Sequence, residues 1–181
     1  MHGDNIKNVR NCYMYLNNGA GGYIVYRKAG KGKYSKLAYI DKNTILSYTD
    51  KSAKNGTVYT YKIVACKTAG KTSYNAADSN QKTIMRITSS KVTKTTNKAG
   101  KKMTVKWSVN SKAGGYQIQY SVKSNFAKAK TVKVTGAKKS NVTIAKLAKK
   151  KYYVRVRSFK KVGKTTYYSA WSTTKNVVIK K

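Results

Sequence analysis

Residues 59–74 read YTYKIVACKTAGKTSY, and residues 152–167 read YYVRVRSFKKVGKTTY. The two stretches correspond at a constant separation of 93 residues, which places Tyr59 opposite Tyr152. In both of them, apolar and polar side chains alternate with a period of two, which is typical of a half-buried β-strand. The chain therefore contains one strand pattern twice.

The correspondence extends upstream with the same offset. GGYIVY at 21–26 faces GGYQIQY at 114–120, and the match continues back to residues 11 and 104. A constant offset over so many positions indicates two copies of one domain. The 181 residues suit two domains of about 90 residues each, and we predict domains at 1–84 and 85–181.

The second copy contains a series of short runs with strand composition. Clusters of Gly, Asn, Ser and Lys separate these runs, and no segment has a sustained period of 3.6 residues. This pattern predicts an all-β antiparallel sandwich. The predicted strands are MTVKWSV (103–109), GYQIQYS (115–121), TVKV (131–134), VTIAKL (142–147), YYVRVRSF (152–159), YYSAWS (167–172) and VVIK (177–180).

Several of these strand sequences resemble the fibronectin type III domain. They are a Trp in the second strand, a Gly-Tyr pair opening the third, L…Y-x-V-R-V in the sixth and the closing SAWS. The resemblance covers residues 10–181 and is closest to the tandem, lysine-rich versions on extracellular and cell-surface proteins of Gram-positive bacteria such as clostridia. It implies tyrosine-corner roles for Tyr59 and Tyr152. The expected structural core comprises Trp107, Tyr59, Tyr152, Tyr23, Tyr116 and Met14.

The first copy departs from this pattern at its beginning. The second copy has room for an A strand at about 87–96, whereas only nine residues precede the B strand of the first copy. We therefore expect a first sandwich that lacks most of its A strand. We also expect the chain to be part of a longer protein with neighbouring domains. Met14 stands where the second copy has Trp107, which predicts a looser core in the first copy.

Acidic residues and histidine are too scarce to build the common catalytic or metal sites. The chain has four Asp, no Glu and a single His at position 2, and residues 79–181 contain no acid. Paired carboxylates, a Ser-His-Asp triad and a zinc cluster with His are therefore excluded from the second copy. Asp50, in SYTDKSAKNG, is best interpreted as a turn-forming residue. We predict a non-enzymatic protein without cofactor or metal.

The two cysteines, Cys12 and Cys66, fall in the predicted B and F strands, which an immunoglobulin-type disulfide would join. Strand parity argues against that bond. Cys12 shares a face with core residue Met14, whereas Cys66 follows Ala65, whose face carries the core tyrosines. The two side chains would point apart, so we predict two free thiols.

Positive charge is the strongest functional signal. The chain has 40 Lys and Arg, of which 35 are Lys, and residues 85–181 hold 26 of them without an acid. The like charges of such a domain repel one another and destabilise its compact state unless external anions are near. We expect anionic wall polymers or acidic glycans as partners, and the excess of Lys over Arg does not favour nucleic acid. The candidate contacts are Lys149, Lys150, Lys151, Arg155, Arg157, Lys160 and Lys161.

Together these features predict a non-catalytic extracellular spacer and adhesion module, secreted or attached to a cell wall. It would hold other domains away from the cell surface and attach to polyanions by charge. The sequence shows no membrane span. The alternative is a dedicated ligand- or carbohydrate-binding module, for which Tyr13, Tyr15 and Tyr26 could form a sugar platform, although exposed tyrosines are also ordinary on strands.

Overall fold

The computed structural model describes residues 11–13, 19–69 and 72–180, with the backbone alone described at 11–13, 68 and 69. Within these ranges every regular secondary-structure element is a β-strand, and every strand pair is antiparallel. The chain divides into two compact units between Arg86 and Ile87.

The first unit builds one large sheet and one small sheet. In the large sheet the order is β3-β2-β5-β6, and β7 also pairs with β5, while β1 pairs with β4 in the small sheet. The place of an A strand before β1 lies in residues 1–10, outside the described residues. The strands are β1 (Asn11–Tyr13), β2 (Gly22–Ala29), β3 (Ser35–Ile40), β4 (Ser47–Thr49), β5 (Val58–Ala69), β6 (Thr72–Asn75) and β7 (Lys82–Met85).

The second unit pairs a three-stranded sheet, β12-β9-β8, with a five-stranded sheet, β11-β10-β13-β14, in which β15 also pairs with β13. This is the all-β, fibronectin type III-like sandwich that the sequence predicts. The strands are β8 (Val92–Lys98), β9 (Lys102–Trp107), β10 (Gly115–Ser121), β11 (Lys130–Thr135), β12 (Asn141–Ile144), β13 (Lys151–Val162), β14 (Thr165–Tyr168) and β15 (Lys175–Val178).

Alternating apolar side chains fill the space between the sheets. In the second unit, the buried rings of Trp107 and Tyr116 pack with centroids 5.3 Å apart, and Tyr152 is buried in the same cluster. Tyr23 and Tyr59 are buried in the separate core of the first unit. Tilted aromatic packing of this kind adds to the stability that burial alone provides. Met14 lies outside the described residues.

The tyrosine corner is present in both units. The Tyr59 hydroxyl oxygen accepts a hydrogen bond from the Lys54 amide at 3.2 Å, and the Tyr152 hydroxyl oxygen accepts one from the Ala148 amide at 3.1 Å. Each bond satisfies a backbone donor in the loop that leads into the longest strand of its unit, β5 or β13. The bond therefore fixes the approach of that loop to the core.

The repeated Gly-Gly-Tyr sequence has a steric cause. A Cβ atom on Gly22 would overlap the carbonyl oxygen of Ile40, and one on Gly115 would overlap the carbonyl oxygen of Val134 and the Phe159 ring. In each unit the second glycine thus lets the neighbouring edge strand approach the backbone closely.

Replacing Gly115 by alanine should therefore destabilise the second unit by about 2–3 kcal/mol, the usual cost of overpacking a filled site. Gly114→Ala is the matched control, because a Cβ there would meet only ordinary contacts at 3.5 Å. Both tryptophans, Trp107 and Trp171, lie in the second unit, so tryptophan emission during urea unfolding reports on that unit within the full chain. Equal midpoints for the two variants would contradict this steric explanation.

Candidate polyanion interface

Exposed lysines converge at one end of the second unit, which we call the lysine end. The β8–β9 turn and the β12–β13 loop meet there, because the Leu147 amide donates a hydrogen bond to the Lys101 carbonyl at 3.0 Å. The chain after β15 joins them through the Ile179 amide, which bonds to the Lys150 carbonyl at 3.0 Å. Eight exposed lysines belong to this end: Lys98, Lys101, Lys102, Lys146, Lys149, Lys150, Lys151 and Lys180.

Two lysines of this end have left-handed backbone conformations. Lys101 has φ of 55° and Lys146 has φ of 57°, a region that side chains other than Gly, Asn and Asp seldom adopt. Each such conformation costs roughly 1–2 kcal/mol. The bond between Leu147 and Lys101 ties the two segments together. The turn and loop thus hold both lysines in this strained backbone at the protein surface.

The structure separates the lysines that the sequence groups as candidates. Lys149, Lys150 and Lys151 belong to the lysine end, whereas Lys160 and Lys161 lie at the opposite end of β13. At about 3.3 Å per residue, ten residues of strand put roughly 33 Å between Lys151 and Lys161. The sequence-predicted set therefore does not form one patch.

Arg155 and Arg157 lie between these ends and take part in a stack of planar groups. Both guanidinium groups lie over the Trp171 ring, with the Cζ atom of Arg155 4.6 Å and that of Arg157 4.3 Å from the ring centre. Arg155 also lies 4.0 Å from the Phe126 ring, and Arg157 lies 4.0 Å from the Tyr168 ring. Cation–π contacts of this kind are favourable and are strengthened by partial burial.

Hydrogen bonds hold both arginines in the stack. The Nε–H of Arg155 donates to Gln119 at 2.7 Å, and that of Arg157 donates to Gln117 at 2.6 Å. Burial lowers the pKa values of both arginines from their ordinary range. The planar faces and Nε donors of both arginines are already used in contacts on the sheet surface. The arginines therefore have fewer groups left to bind an external anion than the exposed lysines have.

The SAWS sequence positions Trp171 in this stack. Ser169 and Ser172 each receive a hydrogen bond from a β13 amide through the side chain, at 3.0 Å in both cases. Their own amides donate to the carbonyls of Ser158 and Val156 at 2.9 and 2.8 Å. Because both serines fasten the segment to β13, Trp171 is fixed over the arginines of that strand.

The first unit has an ion pair at the corresponding place. Lys62, which corresponds to Arg155, bonds to the Asp78 carboxylate at 2.6 Å and lies over the rings of Tyr26 and Tyr34. Asp78 itself corresponds to Trp171. The Lys62 ammonium group thus lies over the ring of Tyr26, one member of the hypothesised sugar platform. The side chains of Tyr13 and Tyr15 lie outside the described part of the structure.

Asp50 forms a buried polar cluster that sequence reasoning missed. The Ser52 amide donates to its carboxylate at 2.9 Å, which confirms the predicted turn role. The same carboxylate, only 2% exposed, also accepts bonds from Arg27 at 2.6 Å and from the Tyr61 hydroxyl at 2.7 Å. The Arg27 guanidinium lies 4.6 Å from the Tyr59 ring. The cluster therefore joins β2, β5 and the turn after β4.

The bonds to Asp50 control its protonation. Burial acts to raise the pKa of the carboxyl, but hydrogen bonds from Tyr61, Ser52 and Arg27 outweigh burial and lower this pKa below its ordinary value. Burial likewise acts to lower the pKa of Arg27, and Asp50 outweighs it and raises that pKa. The folded first unit thus favours the ionised carboxylate.

Cys66 is a buried free thiol, as the strand parity predicts. Ile63 and Ala65 of the same strand pack against the core cluster of Tyr59 and Tyr61, whereas Cys66 is not part of it. The side chain of Cys12 lies outside the described residues.

Among the described residues, no group of three or more His, Cys, Asp or Glu side chains is placed to hold a metal ion. No helix in the described ranges has the length and apolar character needed to cross a membrane.

Comparison with solved structures gives similar tandem domains. The FN1–FN3 domains of chicken CNTN1 share 21% identity over 88% of this chain, with a TM-score of 0.41. A two-domain fibronectin type III segment of chicken tenascin shares 16% identity over 87% of this chain, with a TM-score of 0.47. This chain spans 54% of the CNTN1 structure and 83% of the tenascin segment. No protein-family model matches the chain, and no curated protein matches it.

Replacing Asp50 by asparagine should destabilise the first unit by about 3 kcal/mol at neutral pH, because it leaves Arg27 without its partner. Ionised Asp50 contributes stability above its unfolded pKa of about 3.9, and this contribution is lost as pH falls through the lower folded pKa. The wild type should therefore lose β5 amide protection in acid, and Asp50→Asn should flatten that pH dependence. Hydrogen exchange measures both effects, and exposed Asp41→Asn is the control. If β5 amide protection depended on pH in the same way in the wild type, Asp50→Asn and Asp41→Asn, ionised Asp50 would not stabilise the first unit.

Replacing both Arg155 and Arg157 by lysine keeps the charge but removes the planar stack and the Nε bonds. We expect a loss of about 4 kcal/mol, since each of the two exchanges forfeits a stacked contact worth roughly 1 kcal/mol and a hydrogen bond of similar size. Urea unfolding followed by tryptophan emission measures the loss. Lys161→Arg, an exchange in the opposite sense at an exposed site, should change stability little. A double variant as stable as wild type would show that the stack contributes nothing.

Proposed function

We propose that the chain is a non-catalytic extracellular spacer and adhesion module whose second unit attaches electrostatically to anionic polymers. The observation that carries this proposal is the lysine end, where eight exposed lysines meet in a unit without a side-chain carboxylate. Such a unit lowers its own repulsion when external anions replace the missing internal ones. Polymers of a cell wall and acidic glycans have the required charge, and neighbouring domains of a longer protein would be held at the surface.

The supporting geometry favours a broad surface over an enclosed site. The arginines are committed to the aromatic stack, so the other cations of the second unit are lysines, whose ammonium groups act as hydrated point charges without fixed direction. Lysines also occupy the far end of β13, at Lys160 and Lys161. Attachment through many such contacts is strong in sum and sensitive to salt.

A dedicated carbohydrate-binding module is the second candidate. It is favoured by Tyr39, which is 52% exposed on β3 and has the Lys36 ammonium 5.4 Å from its ring centre. An exposed ring beside a cation could stack on a sugar and contact an acidic substituent. This candidate predicts binding that persists at high salt and is abolished by Tyr39→Ala.

The test is binding of the full chain to purified teichoic acid and to duplex DNA of matched charge, over a salt series. Affinity should fall log-linearly with salt, because each lysine–phosphate contact releases counterions. Lys150→Ala alone should weaken binding less than threefold, since one of many contacts is lost. Salt-resistant binding that Tyr39→Ala abolishes would instead favour the carbohydrate-binding candidate. If the chain bound neither polymer at 50 mM salt, the proposed electrostatic adhesion would be wrong.

A further inference from the structure

The outer face of the three-stranded sheet β12-β9-β8 carries a regular array of lysine and threonine. Lys94 lies directly opposite Lys106 in the β8–β9 pairing, and Lys98 lies directly opposite Lys102. All four side chains are exposed. Opposed residues of an antiparallel pair point to the same face, with Cβ atoms about 5 Å apart. We call these two pairs the lysine rows.

The register that creates the rows depends on an irregularity in β8. The pairing shifts between Val92 and Lys94, so that Lys94 joins the outward series. In β9, buried Met103, Val105 and Trp107 alternate with the outward residues. The lysine rows are therefore fixed by the same core side chains that hold the sandwich together.

A row of three threonines lies between the lysine rows. Thr96 is opposite Thr104, and Thr104 is opposite Thr143 on β12, where the two hydroxyl oxygens are 3.0 Å apart. Each row is two residues from the next along β9, which corresponds to about 7 Å. The face thus presents a cationic row, a hydroxyl row and a second cationic row, with about 14 Å between the lysine rows.

Like charges directly opposite each other destabilise a sheet, and this face has two such pairs. The second unit has no side-chain carboxylate that could neutralise them. Within a row, the two ammonium groups can converge on one anionic group. Between rows, the distance exceeds the Debye length of about 8–10 Å near physiological salt, so each row acts as a separate site. The threonine hydroxyls between them can donate to, and accept from, hydroxyl groups of a ligand.

We propose that this face binds one linear polymer in which phosphate groups alternate with hydroxyl-bearing units, that is, a polyol-phosphate or sugar-phosphate chain running along the strands. Two phosphates of the chain, about 14 Å apart, occupy the two lysine rows, and the hydroxyl-bearing units between them contact the threonine row. In a chain of short polyol units such as poly(glycerol phosphate), these are every second phosphate. The lysine end continues this surface, because Lys98 and Lys102 belong to both. The inference deepens the proposed polyanion attachment and rests on it.

The experiment compares two charge-matched quadruple variants of the full chain for binding to poly(glycerol phosphate) at 50 mM salt. K94Q/K98Q/K102Q/K106Q should lower affinity at least 30-fold. It should also reduce the slope of log affinity against log salt by about 3, since each lost contact removes roughly 0.7. K123Q/K128Q/K138Q/K139Q removes four exposed lysines elsewhere in the same unit and should lower affinity less than fivefold. Tryptophan emission and Tm check that both variants fold.

A second arm tests the hydroxyl row. T96V/T104V/T143V keeps all charges and the β-branched shape, and should lower affinity for poly(glycerol phosphate) at least threefold. Its affinity for inorganic polyphosphate, which has no hydroxyl-bearing unit, should be unchanged. T131V/T135V on β11 is the control and should match wild type with both probes.

The outcomes separate the two proposals. Equal losses in the two quadruple variants would overturn the lysine rows while leaving dispersed polyanion attachment intact. A hydroxyl-row variant that matches wild type with both probes, or tighter binding of wild type to duplex DNA of matched charge, would overturn the polyol- or sugar-phosphate assignment. Absence of binding to every polyanion at 50 mM salt would overturn the proposed attachment itself.

Discussion

The second unit has 25 Lys and Arg between Ile87 and Lys181 and no acidic side chain. Each of these cations must lie in solvent, against an aromatic ring, or opposite an anion from outside the protein. The arginines lie against aromatic rings, since the guanidinium groups of Arg155 and Arg157 both contact the Trp171 ring. The exposed lysines collect at strand ends and on the outer face of the smaller sheet, and two of them, Lys133 and Lys151, also lie over the rings of Phe159 and Tyr153. The surface chemistry of the unit follows from this one constraint.

The first unit shows what changes when a carboxylate is available on the same backbone. Lys62 is paired with Asp78 where the second unit stacks Arg155 on Trp171. One of the two serines that fasten the segment to the long strand is retained. Ser79, which corresponds to Ser172, accepts a hydrogen bond from the Ile63 amide through its side chain and donates one to the Ile63 carbonyl from its own amide, both at 2.9 Å. The repeat therefore preserves backbone hydrogen bonds while it exchanges an ion pair for an aromatic stack.

Alternation with a period of two was enough to predict the strands, the buried tyrosines and the free thiol of Cys66, because parity along one strand decides which face a side chain occupies. It could not reveal the partners of Asp50, since Arg27 and Tyr61 reach it only across paired strands. The lysine rows were missed for the same reason. Their alignment depends on the pairing shift before Lys94, and nothing in the sequence of β8 alone fixes which residue of β9 stands opposite.

Stability and binding are linked on this surface. A lysine row without an anion holds two lysines whose Cβ atoms are about 5 Å apart, so the folded state bears a repulsion that the unfolded chain relieves by separating them. A polymer that binds only the folded face removes that repulsion, and it stabilises the unit further by mass action as its concentration exceeds Kd. Simple salt can screen the repulsion but also competes with the polymer. Salt therefore has opposite effects on the two properties, stabilising the free unit while weakening its attachment.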